Sequence, residues 1–88
     1  MGDYQHNWPK YMTTKSLVFT VTAMFLDWRR TRDALGYDPP DTDELVDAMQ
    51  VLWDELWERL PNWRACDEIF HAPGMDQEAL DEFTELLE

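Results

Sequence analysis

The chain has 88 residues, with 19 Asp+Glu against 7 Lys+Arg, a formal net charge of −12 and a pI near 4.2. That length reads as one domain with a small core, since about 60–65% of the unfolded chain's surface can be hidden at this size. The charge excludes binding of DNA, RNA or an anionic membrane through the bulk field, which draws on clustered Lys and Arg.

Hydrophobic residues at 44% and aromatics at 14% exclude a disordered chain. One cysteine, Cys66, excludes an internal disulfide framework and a thiolate zinc cluster, so a reducing setting is expected. The start, Met1 to His6, has no basic segment leading into an apolar run, and His6 stands where a myristoylation signal wants Ser or Thr. The longest apolar stretch, Leu17 to Leu26, is interrupted by Thr20 and Thr22. It is far short of the ~20 residues that span a bilayer. The expectation is a soluble cytoplasmic protein, in the host cytoplasm if viral, with no membrane partner.

In chain order, residues 1–13 read as an aromatic-rich N-terminal arm carrying Tyr4, Trp8 and Tyr11, and residues 14–88 as a helical bundle domain. The arm either packs on the bundle or engages a partner. The first helix is predicted from Thr14 to Leu35. Leu17, Val21, Met24 and Trp28 recur at helical spacing, Val18 and Phe25 widen the stripe, Thr13 or Thr14 caps the start, and Gly36 ends it. Val18 to Thr22 also has strand propensity, so a short strand there is the competing reading.

The second helix is predicted from Thr42 to Leu60, opened by Asp41 and Glu44 as a cap pair and stopped by Pro61. At 100° per residue, Leu45, Met49, Leu52, Trp53, Leu56 and Leu60 fall on one side. Asp43, Asp47, Asp54 and Glu58 fall within roughly 60° of one another on the other. A third, short helix is predicted from Trp63 to His71, capped by Asn62. A fourth runs from an Asp76 cap to the C-terminus, with Met75 and Leu80 as a hydrophobic staple and Leu80, Phe83 and Leu87 as its apolar face. The fold class expected is all-α, a small bundle of three to four helices.

The charge is unevenly placed. Residues 1–36 carry Lys10, Lys15, Arg29, Arg30 and Arg32 against Asp3, Asp27 and Asp33, a net +2; residues 37–88 carry 16 acids against Arg59 and Arg64, a net −14. The three arginines near the end of the first helix suit its dipole and are expected to pair with acids of a neighbouring helix. Too many acids remain to be neutralised this way. Asp43/Asp47 and Asp54/Glu58 sit at i,i+4, where like charges cost a few tenths of a kcal/mol per pair. One reading is a solvated face that keeps the protein soluble. The other is an anionic binding surface, formed by Asp43, Asp47, Asp54 and Glu58 with Glu78, Asp81, Glu82 and Glu85 of the fourth helix.

Two such rows would approximate the charge of a nucleic-acid backbone, fit a DNA- or RNA-binding groove, and be steered there by long-range attraction. In size and acidity the chain is similar to phage-encoded counter-defence proteins, anti-CRISPR proteins among them, and to nuclease inhibitors. The partner this implies is a basic nucleic-acid-binding protein, a nuclease or an effector complex, with no direct contact to nucleic acid. Of the five tryptophans, Trp28, Trp53 and Trp57 are assigned to the core. Trp8 and Trp63, beside Pro9 and Pro61, are candidate interface anchors.

Catalytic and metal constellations are thin. Glu68-x-x-His71 has the spacing of a di-iron ligand pair, but a full site needs a second such pair, and only His6 remains. Cys66 and His71 diverge on a helix and do not form a thiol–imidazole pair. The three glycines, at 2, 36 and 74, build no phosphate loop. No enzyme activity, metal or cofactor is expected. Two other readings stand beside the inhibitor: a structural or regulatory subunit that binds through the aromatic arm and Trp63, and an immunity or antitoxin protein for a basic nuclease. A homo-oligomer is left open.

Overall fold

The computed structural model describes residues 8–87. Four α-helices follow a single 3-10 turn at Trp8–Tyr11: α1 (Thr14–Leu35), α2 (Thr42–Arg59), α3 (Asn62–Phe70) and α4 (Gln77–Leu87). There is no strand among the described residues, so the all-α bundle is the observed architecture.

Helix α1 begins where Thr13 Oγ1 accepts the Ser16 N–H at 3.0 Å and ends at Gly36. Gly36 has φ +81°, and its N–H returns to the Arg32 carbonyl at 2.8 Å. The Val18–Thr22 stretch is helical throughout. Val21 is fully buried there, as is Leu17 just before it, and the Thr22 hydroxyl, also buried, donates to the Val18 carbonyl at 2.7 Å. Burial of one face outweighs the strand preference of its β-branched residues.

Helix α2 keeps the predicted start and ends one residue early, because Leu60 is extended ahead of Pro61 (φ −128°, ψ 148°). Its cap differs from expectation. The Asp41 side chain makes no capping hydrogen bond, and the entry is closed instead by Thr42, whose Oγ1 donates to the Pro39 carbonyl at 2.7 Å. At α3, Pro61 occupies the cap position in place of Asn62; its carbonyl accepts from the N–H groups of Arg64 and Ala65, each at 2.9 Å. The Asp76 cap of α4 is present, with Oδ1 accepting the Ala79 N–H at 2.8 Å.

The core is an aromatic relay. Phe83 of α4 packs edge-on against Phe25 of α1 (centroids 5.3 Å) and Trp53 of α2 (5.1 Å), so one ring joins three helices. Met49, Leu52 and Leu56 of α2 and Ala65 and Ile69 of α3 complete the interior. Trp57 is a correction. It is 37% exposed, on the flank of α2 rather than in the core; of the three tryptophans assigned to the core, only Trp28 and Trp53 are buried.

The described part of the arm packs on the bundle. Pro9 is buried, and Arg59 of α2 donates from Nη1 to the Met12 carbonyl at 2.7 Å and from Nη2 to the Pro9 carbonyl at 3.1 Å. Glu55 holds the same guanidinium at 2.9 Å. Tyr4 and the Trp8 side chain lie outside the described residues.

Candidate functional site

Helix α2 has two unlike faces. Met49, Leu52 and Leu56 point into the core, and the opposite side carries Asp43, Asp47, Asp54 and Glu58, all exposed. At 1.5 Å per residue, Asp43 and Glu58 lie about 22 Å apart along the axis. None of these four carboxylates has a Lys or Arg partner among the described residues; Asp54 accepts only the Gln50 side-chain N–H, at 2.9 Å. Glu55, which flanks the row, is withdrawn from it by Arg59.

The α4 acids divide differently. Arg29 of α1 reaches Glu78 at 3.3 Å and Glu82 at 2.8 Å, and Arg32 reaches Glu82 at 3.5 Å. The Arg29 Nε and Glu82 Oε2 atoms are sealed from solvent and close, yet they are not aligned as a hydrogen bond, so the contact is an ion pair. Arg32 is held above its ordinary pKa chiefly by its hydrogen bond to Asp33; burial opposes the rise, and the Glu82 and Asp33 charges add to it. The expected pairing of first-helix arginines with a neighbouring helix is therefore present for Arg29 and Arg32. It engages two of the four α4 acids assigned to partner binding. Asp81, which accepts from Gln77, and Glu85 remain exposed and without a cationic partner among the described residues.

The ridge on α2 is bordered by a slot of about 230 Å³ lined by Gln50, Trp53, Asp54, Trp57 and Leu87. Trp57 is set edge-to-face against Trp53, with centroids 5.6 Å apart. A second groove, of about 320 Å³, lies between α1 and α4 and is lined by Trp28, Arg32, Glu82, Glu85 and Leu86. There the Arg32 guanidinium lies over the Trp28 ring, 5.0 Å from its centroid.

Trp63 is 72% exposed at the start of α3, five residues beyond Glu58 and across the Pro61 break from the acidic ridge. Phe19 (61% exposed) and Tyr37 (64%) are exposed aromatics that local pattern did not single out, and Tyr11, assigned to the aromatic arm, is 87% exposed. Phe19 was findable, because at 100° per residue it projects about 120° away from Phe25 and the core stripe.

The Glu68-x-x-His71 pair assembles no metal site. Glu68 lies 3.9 Å from Arg64, and His71 Nδ1 lies 2.8 Å from the Asp67 carbonyl. Among the described residues no three His, Cys, Asp or Glu side chains are placed to hold a metal ion. Cys66 is half-buried against the core. No described helix is long and apolar enough to cross a membrane.

Compared with protein families, curated proteins and solved structures, the chain matches none of them.

Proposed function

We propose that this protein binds and blocks a basic nucleic-acid-binding protein, a nuclease or an effector complex, by presenting α2 where the nucleic-acid backbone would lie. Its most concrete form is a phage anti-defence inhibitor of the anti-CRISPR kind. The observation that carries the reading is the row Asp43, Asp47, Asp54 and Glu58, exposed and without a cationic partner among the described residues, on a helix whose other face is core. Two i,i+4 acid pairs cost the helix a few tenths of a kcal/mol each, a cost that a partner's Lys and Arg would reverse. Asp81 and Glu85 of α4 add to the field, while Glu78 and Glu82 are partly neutralised by Arg29 and Arg32. Such a field speeds encounter with a basic groove and disfavours acidic partners. The protein acts by occupancy, and no chemistry is assigned to it.

The test is affinity capture from a bacterial lysate at about 50 and 200 mM salt, a range over which phosphate-like contacts weaken steeply. It is followed by a gel shift of the captured protein with its own nucleic acid. The wild-type chain should hold a nucleic-acid-binding protein at low salt and displace its DNA or RNA. The variant Asp43→Asn, Asp47→Asn, Asp54→Asn, Glu58→Gln should do neither. Retention by that variant, or failure to displace nucleic acid, overturns the reading.

The exposure of Trp63 and Phe19 favours a second reading, a subunit that docks through its aromatic surface. Binding of that kind would scarcely respond to salt. An immunity protein for a basic nuclease would share the electrostatics and differ in having one dedicated toxin as partner.

A further inference from the structure

We infer that the slot beside the acidic ridge is a receptor for one arginine side chain of the protein partner. The inference rests on the reading of the ridge as the partner-binding face and names the contact made there. The slot's walls are Trp53 and Trp57 of α2 and Leu87 of α4, and its polar edge is Asp54. Asp54 and Trp57 are three residues apart and share one face of the helix. The Trp57 indole already packs edge-to-face on Trp53, which holds part of the wall in place before binding.

Size selects a side chain over a free small molecule. At about 230 Å³ the slot is smaller than the ~300 Å³ at which pockets for drug-sized ligands begin. Charge selects a cation, because Asp54 stands in a row of carboxylates that no described Lys or Arg neutralises. The aromatic wall selects arginine over lysine: a guanidinium is planar, weakly hydrated, stacks on indole and forks onto a carboxylate.

The protein already contains this arrangement once. Over Trp28, the Arg32 guanidinium lies 5.0 Å from the ring centroid while contacting Asp33 at 3.1 Å and Glu82 at 3.5 Å. Trp57 with Asp54 repeats the indole and the carboxylate, and among the described residues no cation stacks on Trp57.

The test is a two-dimensional amide and indole N–H NMR titration of the full chain with short oligoarginine, oligolysine and oligocitrulline peptides of equal length. With oligoarginine, the Trp57 indole, Gln50 side-chain and Leu87 signals should move together. Oligolysine should bind several-fold more weakly at those signals, and citrulline, neutral and nearly the same shape, should leave them in place. Asp54→Asn should weaken the oligoarginine response at Trp57 about tenfold, the loss expected of one charge-assisted pair. Trp57→Leu should remove the preference for arginine over lysine while leaving the shifts of Asp43 and Asp47. Shifts confined to Asp43, Asp47 and Glu58, or an Asp54→Asn variant that binds as the wild type does, overturn the slot and leave the ridge standing. Oligoarginine binding that is unchanged in Asp43→Asn, Asp47→Asn, Glu58→Gln, with Asp54 intact, overturns instead the ridge as the binding face.

Discussion

The Trp28 indole N–H donates to the Thr42 hydroxyl at 2.9 Å, and the same hydroxyl donates to the Pro39 carbonyl at 2.7 Å. One side chain thus satisfies a core indole, closes the loop between α1 and α2, and opens the helix that carries the acidic ridge. The cap residue expected from local pattern, Asp41, makes no side-chain capping bond; a bond across 14 residues does the positioning.

Thr42→Val should therefore destabilise the protein by about 1–3 kcal/mol, the cost of leaving a buried donor without an acceptor. Thr42→Ser keeps the hydroxyl and should recover most of that loss. Urea denaturation followed by tryptophan fluorescence reads both. A Thr42→Val variant as stable as the wild type would remove Thr42 from the role given to it.

The two left-handed glycines should respond unequally. Gly36 has φ +81° and open space around its missing Cβ, so Gly36→Ala carries backbone strain alone, about 1 kcal/mol. Gly74 has φ +85°, and a Cβ there would meet Leu26 Cδ1 at 3.0 Å, so Gly74→Ala adds a side-chain clash to the strain. Thermal melts should rank wild type above Gly36→Ala and Gly36→Ala above Gly74→Ala.

Arg59 is the tie that holds the N-terminal turn. Arg59→Met keeps the apolar stem and deletes the donors to Pro9 and Met12, leaving Glu55 largely buried without its partner. Limited proteolysis should then cut near residues 8–12 at protease concentrations that spare the wild type. The loss in global stability should be about 2–3 kcal/mol, just below the ~3–5 kcal/mol of a fully buried pair, because both side chains keep some exposure. Arg59→Lys should not rescue the turn, since a point ammonium cannot serve carbonyls on two sides as the guanidinium fork does.

What was legible in the sequence was local. The bounds of α1, its Gly36 stop and the Asp76 cap each rest on residues within one or two turns, and all are found. The misses have long-range causes. Trp57 lies at about 80° from Met49 in projection, a flank that becomes core only if a neighbouring helix covers it; α4 supplies Leu87 at that edge and leaves the ring half open. Charge asymmetry identified the acidic helices, and it pointed to Arg29, Arg30 and Arg32 as pairing residues without choosing their partners; Arg30 makes no ion pair among the described residues. Nothing local says that Arg29 selects Glu78 and Glu82, some 50 residues away, while the α2 row is left without cations among the described residues. That selection makes the two acidic rows unequal.

The ridge should also reveal itself as a stability cost whose size depends on position. Asp43 lies in the first turn of α2, where the dipole favours a negative charge and Asp47, four residues on, opposes it, so the two effects of Asp43→Asn should nearly cancel. Glu58 is one residue from the end of the same helix and faces Asp54 four residues back, so it opposes both the dipole and a like charge. Glu58→Lys should stabilise by about 0.5–1 kcal/mol at low salt, and the gain should shrink as salt screens it. Differential melts at about 20 and 300 mM salt check this, with Asp47→Lys as a second case. If both lysine variants are more stable and neither captures the partner, these carboxylates are kept against stability for binding. If the lysine variants bind as before, the row is a solvated face and nothing more.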